Sequence, residues 1–544
     1  MNRNPGTGTT VLLLTLLPGL LCVAGMLYIT HIGPFFLKSV DPEYAYLFNG
    51  MLLANFKPGV QFVYHPGTLA QLAIALVIKV THLFRPGMPL MDDVLLNPEF
   101  YISTVLFTFT VINVLSVFIL GYYTLRFTGS ILTALLLQLT PFTHILTLEV
   151  TARMMPESLM TAIVCLWLVL LVKILYQHEK ERDYARYAFL FGILFGIGLA
   201  DKLTFLPYFL LPLIVLPARK YRIKYALFAL LFFLIFAFPV VLNYRNFYHW
   251  VTNLFIHTGA YGSGDTGIFK WNELMDHLML QFQNTWLLWT TLVVMLLLTI
   301  AVVLKTKEKR PFRHLRFRMV TALFFVITLA LMMGAKHFAY HYMIPAILLT
   351  AFLVHLIVLQ AKELFAGRFT NLLTGIIPLG FGILLVIMIL PKTGNQLKQI
   401  KNNTESKIAA YNRVAPFLKG NVNIIAPSYY GCPSVTYALT FGLHESGKYG
   451  DMLFEKIRKL YDYGFMYYTW GNVFYMGNKE IKPSVFIKPG GTYTVYMAEY
   501  SEEKLNRLLA AIEKDGIGSS GELTKLFQSQ ETGEAVFSLH VANE

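Results

Sequence analysis

Carboxylates and cations recur beside the apolar stretches of this sequence, and their spacing sets what chemistry they could do. Asp41 and Glu43 stand two apart in SVDPEYAYLFNG (39–50), directly after the first apolar run, with His65 later in the same loop. Glu149, Arg153 and Glu157 follow at intervals of four in EVTARMMPE (149–157), a spacing that brings helical neighbours together. Asp201 and Lys202 are adjacent in GLADKLTF, and Lys336, His337 and His341 lie in KHFAYH. Ionisable groups at a membrane boundary are costly to bury alone, so a cluster of both signs points to mutual pairing or to a charged ligand.

Each group also has a plainer role open to it. Asp41 before Pro42 is a helix start, with Asp as N-cap and Pro at the first helical position. Arg153 with Glu149 or Glu157 could form an interfacial ion pair, and Lys202 could extend its amine to the headgroups. His337 and His341 have the i, i+4 spacing of zinc ligands, but HFAYH lacks the Glu of a zinc-protease motif and no third ligand accompanies it.

These residues need a membrane scaffold to position them. Of 544 residues 56% are hydrophobic and 14% charged, with mean hydropathy +0.54, which excludes a soluble globular protein. About eleven windows approach the ~20 apolar residues of a transmembrane helix: 11–32, 101–124, 129–148, 156–176, 187–200, 203–217, 225–243, 285–304, 319–334, 344–359 and 371–391. The first lacks a signal-peptidase site and reads as a permanent helix. Cys22, Cys165 and Cys432 allow neither a disulfide framework nor a cysteine metal site.

The net charge of +14 would suit a nucleic-acid partner, yet its Lys and Arg concentrate in alternate loops, including RKYRIK (219–224) and KTKEKRPFRHLRFR (305–318). That alternation is topology: the basic side is cytoplasmic, and no nucleic acid is implied. In TLAQLAIALVIKVTHLF (68–84) Thr68, Gln71, Ala75, Lys79 and His82 form the wet face expected of an interfacial helix, so it is not counted as a span.

The expected organisation is a transmembrane domain over 1–391 and a soluble α/β domain over 392–544. An odd number of spans with a cytoplasmic amino terminus puts the second domain outside the cytoplasm. Helical periodicity covers 395–418 and 501–516; strand-like runs cover 421–427, 483–488 and 492–498. The long loop 244–284 contains TGAYGSGDTG (258–267), which suits a lid or an unstructured connector.

The order of these features resembles the GT-C superfamily of polyprenyl-phosphate-dependent glycosyltransferases. The likeness is to the family 39-like branch holding protein mannosyltransferases and the lipid A aminoarabinose transferase. The matching pieces are DPEYAYLFNG, YHPGTLAQL, EVTARMMPESLM, GLADKLTFLPYFLLP and HFAYHYMIPAILL, spread over most of 1–360. The resemblance implies a mostly helical GT-C membrane fold with interfacial helices near 43–56 and 68–84 in the first outer loop. It implies an enzyme moving a sugar from a polyprenyl phosphate to a lipid, glycan or protein acceptor at the outer face of a membrane, a bacterial plasma membrane being the expected one. The family's first-loop acid falls on Asp41, while its acidic neighbour is displaced by Pro42 to Glu43.

Such a reaction needs cations on the departing lipid phosphate, for which Arg153, Lys202, Lys336 and His341 are candidates, and a carboxylate base, Asp41 or Glu43. His65, Glu149, Glu157, Asp201 and His337 are expected in support. A divalent cation is compatible with Asp41 and Glu157 as oxygen ligands, but no cofactor is required. LYDYGF (460–465) is similar to the WWDYG motif of oligosaccharyltransferases but lacks its tryptophans. That departure sets transfer of a whole glycan, and a transporter or flippase of lipid-linked sugar, as the competing expectations.

Overall fold

The computed structural model describes residues 8–38, 40–64, 66–178, 182–259, 262–267, 270–307, 311–336, 338–365, 370–419, 422–428, 431–461, 464–469, 471–515 and 522–542. His65 and His337 lie outside the described residues, as do Asp462 and Tyr463 of LYDYGF.

Eight helices among the described residues are long and apolar enough to cross a membrane: Gly8–Ile32, Pro98–Thr128, Glu157–Tyr176, Tyr184–Asp201, Trp286–Thr306, Leu315–Lys336, Tyr340–Leu364 and Leu372–Leu418. At about 1.5 Å per residue, even an 18-residue span reaches about 27 Å. The chain is therefore an integral membrane protein, mostly helical, with a mixed seven-strand α/β region at its carboxyl end.

Three of the eleven expected spans do not form, so the odd count behind the expected placement of the carboxyl-terminal domain becomes an even eight among the described residues. Window 129–148 breaks into Ile131–Gln138, Thr140–Phe142 and Ile145–Val150, with Pro141 inside the short 3₁₀ turn. Window 203–217 becomes a 3₁₀ run, Leu203–Phe209, and a six-residue helix, Leu210–Val215, with prolines at 207 and 212. The helix Arg219–Phe236 spends its first six residues on Arg219, Lys220, Arg222 and Lys224, too many charges for a span, and ends before Pro239.

The chain divides into two compact units. The first comprises Met1–Leu27, Val63–Ala70 and Leu106–Asn395. Its helices approach closely where residues are small. Gly192 and Gly196, four apart on Tyr184–Asp201, leave room for Phe228 and Phe232 of Arg219–Phe236; a Cβ on Gly196 would lie 2.6 Å from the Phe233 nitrogen. Buried Trp167 packs against Phe191 at 4.9 Å and Tyr208 at 5.6 Å. Gln138 Nε2 donates to Leu14 O (2.9 Å) and Val117 O (3.2 Å), tying helices together through backbone.

The second unit comprises Tyr28–Phe62, Gln71–Val105 and Gln396–Glu544. Its sheet contains β1 (Val422–Ala426), β2 (Phe465–Tyr468), β3 (Val473–Met476), β4 (Lys479–Ile481), β5 (Thr492–Met497), β6 (Glu522–Gln528) and β7 (Ala535–His540), in the order β4-β3-β2-β1-β5-β7-β6. β1 runs parallel to β2 and β5; the other pairs are antiparallel. Ile424, Ala426, Val495, Met497, Phe537 and Leu539 turn one face toward Leu505, Leu508 and Ile512 of the helix Glu502–Glu513.

The first-loop segments belong to this second core. The helix Glu43–Ala54 packs on Val435–His444, where the Phe48 ring and Tyr44 O crowd Gly442 so closely that a Cβ would stand 2.4 Å from the ring. Cys432 N donates to Phe36 O (2.8 Å), and Lys456 Nζ pairs with Asp92 at 2.6 Å. Asp93, 1% exposed, accepts from Arg85, Tyr101 Oη (2.6 Å) and Asn97 Nδ2 (2.9 Å), with His82 Nδ1 at 3.3 Å. Burial opposes the ionised carboxyl, but these partners overcome it and hold its pKa at about 2.

Several local expectations change. The N-cap position of Glu43–Ala54 falls on Pro42 and not on Asp41. On the helix Thr68–Leu83 the expected wet stripe is buried over its first part, at Thr68, Gln71 and Ala75, while Lys79 is exposed and His82 half-buried; Leu76, Val80 and Leu83 are exposed as well. Loop 244–284 contains two amphipathic helices, Tyr244–Ile256 and Trp271–Asn284. In TGAYGSGDTG the described residues form a hairpin, Thr258 N donating to Asp265 O and Gly259 N to Ser263 O. Run 483–488 makes a 3₁₀ turn, Pro483–Val485, in place of a strand.

Candidate functional site

In the first unit the site is built from the start of the helix Glu157–Tyr176. Asn113, fully buried on Pro98–Thr128, donates through Nδ2 to Ser158 O (2.7 Å) and accepts at Oδ1 from Ala162 N (3.1 Å). Ser158 Oγ donates to Val150 O (2.8 Å) and to Arg153 O. These bonds fold the turn ahead of Glu157, whose side chain is fully buried.

Glu157 Oε1 forms an ion pair and hydrogen bond with Lys202 Nζ, and His341 Nε2 stands 3.6 Å from the same oxygen. Lys202, 2% exposed, also lies over the Tyr342 ring, its nitrogen 4.8 Å from the centroid. The 66–68 segment is stitched to this place: Pro66 bridges Lys202, Gly67 N donates to Asp201 O (3.0 Å), and Thr68 Oγ1 donates to Ala200 O (3.1 Å). Pieces of four separate motifs, YHPGT, MMPES, GLADK and YHYM, thus meet at one end of the spans.

The buried charges are only partly compensated. Glu157 Oε2 has no hydrogen-bond partner. The Ala70 amide faces the fully buried Asp201 carboxyl, yet neither Asp201 oxygen completes a hydrogen bond. Arg153 is half-buried and within electrostatic reach of His341. Glu149 is half-buried on Ile145–Val150, one turn before it. Lys336 goes elsewhere in the unit, donating to Phe255 O at 2.8 Å and lining a small recess with Lys270, Glu273 and His277.

Asp41 and Glu43 belong to the second unit. Glu43 is fully buried, whereas Asp41 is half-buried. Glu445, which no sequence feature singled out, is near Asp41: burial and then the Asp41 charge raise its carboxyl from the ordinary 4.5 to about 7. Asn49, fully buried, holds this stretch by donating to Glu445 O (3.0 Å) and Ala45 O (2.8 Å). Glu99 is also anchored here, accepting from Phe35 N (2.6 Å), Phe36 N (2.9 Å) and Tyr44 Oη (2.7 Å).

Among the described residues no group of three or more His, Cys, Asp or Glu could hold a metal ion, and Glu157 already faces an ammonium. Asn113 had a readable signal, an isolated amide in an apolar helix; Glu445 had none, because its neighbour Asp41 is some four hundred positions away.

No family model matches this chain, and comparison with curated proteins and with solved structures finds no match either.

Proposed function

We propose that this protein is a membrane glycosyltransferase of GT-C type. It moves a sugar from a polyprenyl phosphate to a hydroxyl or phosphate acceptor on the side of the membrane opposite the cytoplasmic amino terminus. The observation that carries the reading is the buried Glu157–Lys202–His341 cluster at the ends of the spans, with Arg153 beside it. A bilayer protein gathers such groups where a charged, membrane-borne ligand is handled.

In the proposed reaction an acceptor oxygen attacks the anomeric carbon as its proton passes to a carboxylate base, for which Asp41 is the candidate the sequence offers. The bond from that carbon to the phosphate oxygen breaks, and its electron pair leaves with the lipid phosphate. Single displacement inverts the anomeric centre. Arg153 takes the phosphate charge, suited by its planar fork of donors. Lys202 is committed to Glu157, so its role is to set the local field and to orient that carboxylate. Asp41 is preferred over Glu43 because it is the less buried of the two.

The test uses full-length protein in nanodiscs with radiolabelled polyprenyl-phosphate sugars. Asp41→Asn is expected to lower transfer at least a hundredfold, in the range of a lost general base. Arg153→Ala is expected to weaken donor binding more than acceptor binding. Undiminished transfer by Asp41→Asn and Glu43→Gln removes the assigned base. Movement of intact lipid-linked sugar across the membrane without transfer would instead favour a flippase, and transfer of an assembled oligosaccharide the en bloc reading.

A further inference from the structure

The second unit carries a feature that the proposed reaction leaves unused, at one edge of its sheet. β1 runs parallel to both β2 and β5, so the carboxyl ends of these three strands open on the same side. The chain leaves β1 and β5 toward opposite faces. After β5 it enters the helix Glu502–Glu513, whose Leu505, Leu508 and Ile512 cover the face holding Ile424, Val495 and Tyr467. After β1 it enters Val435–His444, whose Tyr437 and Phe441 share a small recess with Met466 and Tyr468. Those two side chains alternate with Tyr467 along β2 and therefore lie on the other face. Neighbouring parallel strands whose connections diverge in this way leave a crevice beyond their carboxyl ends, the place where open α/β sheets take up ligands.

A cavity of about 140 Å³ occupies that crevice. Pro427 and Ser428 reach it from the end of β1, Thr469 from just past β2, Met497 and Glu499 from β5, and Lys504 from the first turn of the following helix. At about 30 Å³ per water it holds roughly five, about the space of one sugar ring. Glu499 and Lys504 are the two charged residues of this lining, and Lys504 Nζ donates to Glu499 Oε2 at 3.0 Å. Their charges cancel, so the crevice draws neither an anion nor a cation strongly. An anion is disfavoured further by Glu502 and Glu503, which stand in the first turn of the helix whose N-terminus would otherwise attract it.

Both paired side chains stay partly in water, Glu499 at 54% and Lys504 at 34% exposed. What they have left to offer is complementary: the carboxylate has further lone pairs and the ammonium further protons. Ser428 and Thr469 add hydroxyls, which give and take bonds alike, and Pro427 and Met497 add apolar wall. A neutral ring with several hydroxyls and a C–H face answers all of these groups.

We propose that this crevice binds one neutral sugar residue, with Glu499 accepting from its hydroxyls, Lys504, Ser428 and Thr469 bonding to others, and Pro427 and Met497 against its C–H face. The site stands independently of the glycosyl-transfer reading, and its test involves no transfer.

Full-length protein in nanodiscs, free of sugar-headed detergent, is titrated with the methyl glycosides of glucose, galactose, mannose and N-acetylglucosamine, and binding is followed by saturation-transfer NMR. Glucose 6-phosphate is the anionic probe and cyclohexanol the apolar one. At least one methyl glycoside is expected to bind saturably, and more tightly than either. Glu499→Gln is expected to weaken it about tenfold, the size of a hydrogen bond to a charged group, and Ser428→Ala about threefold. Neither side chain is part of the core, so these losses report lost contacts rather than unfolding. Thr469→Trp, which fills the crevice, abolishes binding, while Glu513→Gln, at the far end of the same helix, leaves it unchanged. Absence of saturable binding by all four glycosides overturns the proposal, as does binding that Glu499→Gln and Thr469→Trp leave unchanged. Tighter binding of glucose 6-phosphate would make this an anion site, and tighter binding of cyclohexanol an apolar slot; either overturns it too.

Discussion

At the scale of single residues, Lys202 is the clearest case of a charge whose role depends on its partner. Buried beside Glu157, it leaves an uncompensated carboxylate if removed alone. Lys202→Met is expected to destabilise the protein by about 3–5 kcal/mol, the usual cost of breaking a buried pair. Glu157→Gln with Lys202→Met should restore much of that loss, because no charge is then stranded. Thermal unfolding followed by intrinsic fluorescence checks both; a double variant no more stable than the single one would contradict the pairing.

Glu445 carries a second residue-scale prediction. Its native carboxyl titrates at about 7, above the ordinary 4.5, so between these values the folded protein holds a proton the unfolded chain has lost. Stability from this group is therefore present below 4.5, falls as pH rises through the window and is gone above 7. The loss amounts to at most about 3 kcal/mol. Unfolding midpoints measured at pH 5 and pH 8 should differ less in Glu445→Gln than in wild type. An unchanged pH dependence in the variant would assign it elsewhere.

At the scale of elements, the contact between Tyr184–Asp201 and Arg219–Phe236 rests on the absence of side chains at Gly192 and Gly196. A leucine at 196 would collide with the Phe232 Cβ and the Phe233 backbone, neither of which can swing aside. Gly196→Leu is expected to cost about 3 kcal/mol, at the upper end for overpacking. Gly375→Leu, at a position with nothing within 4 Å of a built Cβ, is its control and should be nearly neutral. Similar losses in the two variants would mean that helix propensity, not the close approach, sets the cost.

Elements also show where pattern reading succeeded and where it misled. Long uniform apolar runs became spans because length and hydropathy are summed over many residues. The helix Thr68–Leu83 was located in sequence but only part of its polar stripe meets water: Gln71 is buried with Nε2 donating to Phe62 O, whereas Lys79 is exposed. The strand expected at 483–488 became a turn, with Ile487 N bonding back to Pro483 O. Short segments carry too few residues for periodicity to outweigh such local bonds.

At the scale of the whole molecule, the second unit is discontinuous, joining Tyr28–Phe62 and Gln71–Val105 to the carboxyl-terminal sheet. The carboxyl-terminal region is therefore expected to be needed for folding of the segments that follow the first span. Truncation after residue 419 would uncover Tyr44 and Phe48, both fully buried, and remove the partner of Asp92. Limited proteolysis should then cut within 43–62, where the full-length protein resists. Equal resistance in the truncated chain would show that these segments fold without the sheet.

The sequence by itself determined that this is an integral membrane protein, where most spans begin and end, and which ionisable residues stand near their ends. Those properties follow from hydropathy and charge along the chain, and bilayer thickness is an external ruler that needs no knowledge of partners. Only the tertiary structure decided that Glu157, Lys202 and His341 meet while Lys336 turns to Phe255, and that Glu445 lies near Asp41. Those pairings depend on helix rotation and on contacts between segments far apart in sequence, which are set by packing across the whole unit and leave no local mark.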